Sequence, residues 1–366
     1  MLRMRWIALF SLFAACGGSD GGGGVDGPPG GGDGPAGGDA AIGVPIEAPE
    51  GVWTWADVPG AVCNDGTPTG VAVNRGSSDD LLFFLNGGGA CWDAVTCLTL
   101  GTATTGPIGR PQFEAAIAGV PAGTLFDRDA VANPFRDYSY VFVPYCTGDL
   151  HGGDRVATYD AGSGAVAWHH VGRTNVLADL ARVVPTFPTV DKLVVAGSSA
   201  GGGGAVLMYD EIRGGWPTST GYLIDDSLPL FLAADFPAVM RDAFFAEWHL
   251  GGAVDAECGD CAADLSHIYG AIGRAFPDDR RAFLTLTVDT VVRQFFQQTE
   301  AEFTAAMNRV NTGAMGPAGF ESFIDEGAGH VLLFAPANYV TGEGVDLNTW
   351  LGQMVTDDAE WTSVAP

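Results

Sequence analysis

The stretch "VVAGSSAGGGGA", residues 194–205, decides how this chain is read. Apolar residues run into Gly197-Ser198-Ser199-Ala200-Gly201, a Gly-x-Ser-x-Gly pentapeptide, and then into more glycine. In a chain with 54 glycines the pentapeptide alone is a weak signal, because a flexible loop with a bystander serine has the same letters. Its surroundings separate the two. "DKLVVAGS" (191–198) has the pattern of a buried strand, and "GGGGAVLMYDEIR" (201–213) can open a helix directly after Ser199. Strand, sharp turn and helix is the setting that lifts a nucleophilic serine out at the head of an α/β sheet. Glycines on either side permit the strained turn and a close helix–strand approach. The Ala200 N–H then points at a developing oxyanion, with the positive end of a helix behind it.

Such a turn requires a second oxyanion donor from a glycine-rich loop after an earlier strand. "LLFFLNGGGACWD" (81–93) has that form, with Gly87-Gly88-Gly89 following five apolar residues. Neither a Gly-Lys-Ser/Thr ending nor a Gly-x-Gly-x-x-Gly is present, which argues against a phosphate loop. The base is expected after the serine, in the order Ser, acid, His. His249 and His267 lie inside helical patterns. His330 lies in "DEGAGHVLL" (325–333), a loop after the apolar "FESFI" (320–324), and is the expected base. Asp289, ending "AFLTLTVD" (282–289), is placed to orient an imidazole. Asp225 and Asp226, at the end of "GYLIDD" (221–226), are rivals for that role. Asp325 is too close to His330 along the chain, and it reads with Glu326 as a loop charge.

Around these motifs, apolar β-rich runs alternate with longer helical patterns, which predicts an α/β fold with a mainly parallel central sheet flanked by helices. Strands are expected at 69–76, 80–87, 138–146, 192–198, 221–226 and 282–289. Helices are expected at 171–184, 203–213, 236–250, 262–275, 290–312 and 346–357. The N-terminus is set apart. "MLRMRWIALFSLFAAC" has two arginines, an apolar core and small residues before Cys16, the order of a secretory signal. Cys16 after Ala14-Ala15 fits a lipobox, so 1–16 is expected to be a signal peptide whose cysteine becomes lipidated. Residues 17–45, mostly Gly, Pro, Ala and Asp, are expected to be a disordered tether, and 46–366 a single domain, expected as a monomer. The net charge of −27 argues against nucleic acid and anionic lipid surfaces. A membrane is expected only through the N-terminal lipid. Six cysteines besides Cys16 suggest disulfides in an exported protein, with fifteen possible pairings. Zinc at Cys258-x-x-Cys261 would need two further ligands, and no second pair matches it.

The ordered set "CNDGTPTG" (63–70), "LNGGGAC" with Cys97 (85–97), "VPYCTGDLHGG" (143–153), "AGSSAGG" (196–202), "DDS" (225–227), "LTVD" (286–289) and "GAGH" (327–330) resembles the pectin acetylesterase / Notum carboxylesterase family. That resemblance implies an α/β-hydrolase with a Ser-His-Asp triad on Ser199, His330 and Asp289, with Asp226-Ser227 outside it. It implies oxyanion donors at the N–H groups of Gly88, Gly89 and Ala200, and disulfides Cys63–Cys146 and Cys91–Cys97, leaving Cys258 to Cys261. The implied activity is a serine carboxylesterase without metal or organic cofactor, acting on acetyl esters of a polysaccharide. The alternatives are a lipid-ester or fatty-acyl hydrolase with the same triad, and an inactive glycan-binding surface lipoprotein. Asn86 and Ala90 depart from the family pattern, which has a glutamate and an aromatic there, and this leaves the acyl pocket open.

Overall fold

The computed structural model describes residues 43–117, 122–254 and 258–366. The expected signal peptide with Cys16, and the tether up to residue 42, lie outside the described residues. The last tether residues do not: residues 43–45 are part of the fold. The Gly43 N–H donates to the Ala181 carbonyl at 3.1 Å, and Arg182 Nε donates to the Val44 carbonyl at 2.7 Å. Arg182 is only 2% exposed, and a buried guanidinium needs acceptors. This segment supplies one.

The strands are β1 (Thr54–Val62), β2 (Pro68–Asn74), β3 (Leu81–Leu85), β4 (Ser139–Val143), β5 (Arg155–Asp160), β6 (Ala165–His170), β7 (Lys192–Ser198), β8 (Thr220–Asp226), β9 (Arg280–Leu286) and β10 (Phe320–Asp325). The helices are α1 (Arg110–Ile117), α2 (Gly172–Thr186), α3 (Ala200–Leu207), α4 (Tyr209–Gly214), α5 (Ala238–Glu247), α6 (His267–Ala275), α7 (Thr290–Phe295), α8 (Glu300–Val310) and α9 (Leu347–Val355). Eight strands form one sheet in the order β1-β2-β4-β3-β7-β8-β9-β10, with β5 and β6 as a separate hairpin. From β4 to β10 every neighbouring pair is parallel; β2 runs antiparallel to both of its neighbours, β1 and β4, and is the one reversed strand of this sheet.

Both sheet faces are covered, and the strand sequences show why. In β3, "LLFFL" is wholly buried. Leu81, Phe83 and Leu85 join one core with Val195 and with Val176, Leu180 and Val206 of α2 and α3. Leu82 and Phe84 join the other with Val194 and with Trp350 and Leu351 of α9. Period-two alternation between two apolar faces is what a parallel strand between helical layers requires. Helix α3 is buried on every side, as its uninterrupted small and apolar sequence demands.

Two expected helices are divided: the 203–213 pattern falls on α3 and α4, which break at Met208. The 290–312 pattern is α7 and α8, because Gln297 takes a φ of 55° and Thr299 begins a capping box with Glu302. His249 is outside α5, exposed, with a φ of 57°. Strands β1 and β10, the β5–β6 hairpin and α1 are not among the expected elements.

Disulfides join Cys63 to Cys146, Cys91 to Cys97 and Cys258 to Cys261. The first closes a sequence separation of 83 residues and the second only 6. Loop-closure entropy then predicts about 4 kcal/mol from Cys63–Cys146 and about 2 from Cys91–Cys97. Urea unfolding of the Cys63→Ala/Cys146→Ala and Cys91→Ala/Cys97→Ala proteins is expected to give losses in that order.

Candidate active site

Because β7, β8, β9 and β10 are parallel neighbours, their carboxyl ends lie side by side on one sheet edge. The next residues along the chain are Ser199, Ser227, the loop to Asp289 and the loop to His330. Ser199 has φ 57° and ψ −126°, a conformation costly for any residue but glycine. Its surroundings hold it there. The Ser199 N–H donates to the Asp226 carbonyl at 2.7 Å, and its carbonyl accepts from Gly202 N–H at 2.8 Å. A Cβ on Gly197 would lie 2.0 Å from the Gly201 carbonyl oxygen, and one on Gly201 would lie 2.0 Å from that of Leu85. Neither position admits a side chain.

The glycine loop lies against this turn. A Cβ on Gly87 would sit 3.0 Å from the Ser199 Cβ. Gly88 and Gly89 have φ of 156° and 73°, and residues 102–104 pin them from behind: Thr104 N–H donates to the Gly88 carbonyl at 2.7 Å, and Thr102 Oγ1 donates to the Ala90 carbonyl at 2.6 Å. Among the described residues, neither the Gly88 nor the Gly89 N–H donates to an acceptor.

Asp289 is fully buried. Its Oδ1 accepts from the N–H groups of Val291 and Val292 at the start of α7, and its Oδ2 lies 2.7 Å from His330 Nδ1. The carboxylate therefore fixes the imidazole with Nδ1 as donor and leaves Nε2 as the base-competent atom. Nε2 is buried and has no hydrogen-bond partner. No Ser199–His330 hydrogen bond is present among the described contacts. Such bonds are often long before substrate arrives. Val331, next to His330, has a φ of 60°, an unusual conformation for a β-branched residue.

Asp226 joins the two halves. Its Oδ2 accepts from Ser198 Oγ at 2.7 Å and from the Leu332 and Leu333 N–H groups at 3.0 Å each, while its backbone carbonyl takes the Ser199 N–H. Burial pushes its pKa up, against the hydrogen bonds from Leu333, Ser198, Leu332 and Ser227. It makes no described contact with His330, whose imidazole meets Asp289 instead. Asp225 points into the other core, accepts from Leu228 N–H at 3.2 Å, and is pushed well above the carboxylate range by burial. His249 pairs with Asp154 at 2.6 Å on the surface, and His267 starts α6. Neither approaches the serine through any described contact.

His151, which precedes the serine and so falls outside the order Ser, acid, His, supports the glycine loop. It has a φ of 58°, is 2% exposed, and its Nε2–H donates to the Asn86 carbonyl at 2.9 Å. Asn86 opens the glycine loop, so this imidazole braces the loop's backbone. Its place in the quoted "VPYCTGDLHGG" was the available signal. The same segment carries Asp149, whose Oδ1 accepts from Thr147 Oγ1 at 2.6 Å and whose Oδ2 accepts from the Gly172 N–H that opens α2, at 2.7 Å. Burial raises its pKa to about 6.

The sheet order and the turn at Ser199 define the α/β-hydrolase fold. The sequence model of the Pectinacetylesterase family matches residues 53–227, so the chain carries that family's pattern across the glycine loop and the serine turn. Among curated proteins, it is similar to the palmitoleoyl-protein carboxylesterase NOTUM of Schmidtea mediterranea, 27% identical over 154 residues, covering 41% of this chain and 28% of that protein. The NOTUM of Drosophila melanogaster is 27% identical over 164 residues, covering 41% and 23%. The chain thus matches less than a third of the length of either relative. A solved structure of the Wnt deacylase Notum from Drosophila superposes with a TM-score of 0.62 at 18% identity, covering 82% of this chain and 93% of that one; this shows the shared fold.

His151 and His170 carry a test of the loop bracing. Burial lowers each imidazole's pKa to about 4. His170 donates from Nδ1 to the Thr147 carbonyl and accepts from the Tyr159 hydroxyl. Both folded values lie below the unfolded value near 6.5, so the unfolded chain takes up protons that the native one refuses. Each histidine therefore withdraws stability as pH falls from about 6.5 to 4, on the order of 3 kcal/mol at the acid end. NMR titration of the two Cε1–H signals is expected to show no midpoint above about pH 5. A midpoint near 6.5 for His151 would remove it as the neutral brace.

Proposed function

We propose that this protein is a serine carboxylesterase in which Ser199 is the nucleophile, His330 the general base and Asp289 the residue that orients it. The observation that carries this reading is the Asp289–His330 contact at 2.7 Å, with Nε2 buried and unpartnered on the edge where Ser199 is held at a φ of 57°. Ser199 Oγ attacks the ester carbonyl as its proton passes to Nε2. The N–H groups of Gly88, Gly89 and Ala200 receive the charge on the carbonyl oxygen. Collapse expels the alcohol, protonated by His330, and leaves an acyl-serine; water, deprotonated by the same nitrogen, then releases the acid. Asp289 stays ionised and stabilises the imidazolium. Protein groups supply every step, without a metal or organic cofactor.

For the substrate we favour short acyl groups, acetyl esters on a polysaccharide above all. The apolar stretch at 229–250 that could roof a long acyl channel is filled by its own packing. Phe244 stacks on Trp248 at 3.7 Å, Phe236 meets Phe296 at 5.2 Å, and Trp92, just after Cys91, meets Phe244 edge-on at 5.5 Å. Three disulfides fit folding in an oxidising compartment and an exported protein. We read Cys16 as the lipid anchor of a monomeric domain. The balance of 44 acidic against 17 basic residues disfavours nucleic acid as partner.

Ser199→Ala is expected to lower kcat on nitrophenyl acetate by about 10⁴-fold or more with unchanged circular dichroism, and a fluorophosphonate probe is expected to label Ser199 alone. Near-wild-type turnover by that variant would take the nucleophile's role away from it. In a series of nitrophenyl esters, kcat/KM is expected to be highest for the shortest acyl chains, with acetate released from acetylated xylan or pectin. A buried methylene contributes about 0.8 kcal/mol, so a rise continuing past roughly eight carbons, without acetate release, would mark a fatty-acyl hydrolase.

A further inference from the structure

A cavity of about 670 Å³ lies along α6, away from the serine turn. Its lining includes Arg281 at the start of β9, His267, Gly270 and Arg274 of α6, and Gly319 just before β10. Arg281 therefore belongs to the amino edge of the sheet, whereas Ser199 and His330 follow the carboxyl edge. Five residue steps along β9 separate Arg281 from Leu286 at its far end, roughly 16 Å.

Arg281 is only 4% exposed. One guanidinium nitrogen, Nη1, donates to the Phe276 carbonyl at 2.6 Å, while Nε is buried and has no hydrogen-bond partner. The carboxylate that acts on it, Asp279, is already engaged by Arg213 Nε at 2.9 Å, the Tyr209 hydroxyl at 2.8 Å and the Gly221 N–H at 3.2 Å. Space for the guanidinium is reserved: a Cβ on Gly319, whose φ is 78°, would lie 2.9 Å from Arg281 Nη2. A buried cation that lines a cavity and has one donor unpaired is an expensive arrangement unless something accepts from it. In a chain with only 17 basic residues, it is also a concentration of scarce charge.

We propose that this cavity is a binding site, separate from the esterase centre, for an organic carboxylate about the size of a sugar acid. The guanidinium fork matches a planar carboxylate. Small residues such as Gly270 and Gly319 leave more room than a bare inorganic ion fills. The surrounding field of an acidic protein repels a dianion such as phosphate or sulfate more than a singly charged acid.

The test is isothermal titration of the full chain with a panel of galacturonate, glucuronate and gluconate, with galactose as the neutral control and sulfate as the inorganic one. At least one acid is expected to bind where galactose does not. Arg281→Gln is expected to weaken that binding at least tenfold. Gly270→Leu, which fills the cavity from a helical position and leaves Arg281 in place, is expected to do the same while keeping the wild-type melting temperature. Hydrolysis of nitrophenyl acetate by Gly270→Leu is expected to be unchanged, which separates this site from the fate of the esterase reading. Absence of binding by every acid, binding untouched by both substitutions, or binding of sulfate alone would overturn the proposal.

Discussion

The arrangement of the serine edge depends on one buried carboxylate. Asp226 has no exposure, and its Oδ2 is met by Ser198 Oγ and the Leu332 and Leu333 N–H groups, while its own carbonyl holds the Ser199 N–H. Hydrogen bonds to charged groups are among the stronger ones available to a protein. These tie together segments more than a hundred residues apart in sequence. They fix the loop that carries His330 against the turn that carries Ser199, beside the packing of Leu332 and Leu333 into the core. Asp289 then needs only to follow β9 into α7 to meet the imidazole.

Backbone strain gathers at this edge and its support. Ser199, Ser227 and Val331 all have positive φ, and so do Leu150 and His151 beside the glycine loop. Each would relax if freed, so each depends on contacts that over-determine it. The turn has close-packed glycine around it, the histidine loop has Asp226, and the 147–153 segment has Asp149 anchored to the start of α2. The brace from His151 to Asn86 shows that the glycine loop can be held by a neutral donor to a backbone carbonyl.

Much of this was legible in the sequence where burial on two faces writes unbroken apolar runs, as in "LLFFL" and "KLVVAGS". The same runs located the glycine loop and the serine turn, because each motif begins where a run stops. Strand β1 escaped because "TWADVPGAV" is half exposed and holds a proline and a glycine, and its burial alternates only loosely. The β5–β6 hairpin escaped because much of both strands faces solvent. The break between α7 and α8 was written as Thr299-x-x-Glu302, a capping box inside an otherwise helical pattern. Asp226 could not be weighed from sequence, since its worth lies in partners at 332 and 333 that only the sheet order brings near.

The same dependence sets an order of events during synthesis. The serine turn and the glycine loop are complete once residue 227 has emerged, which is also where the family match ends. The proposed acid and base lie at 289 and 330, and the N–H groups that satisfy Asp226 come from 332 and 333. Contacts of such long sequence separation form late, because loop-closure entropy must be met first. A chain emerging residue by residue therefore holds its most strained turn without the clamp that secures it until nine-tenths of its length is out. Every chain shorter than that lacks the residues that tie the serine turn to the histidine loop.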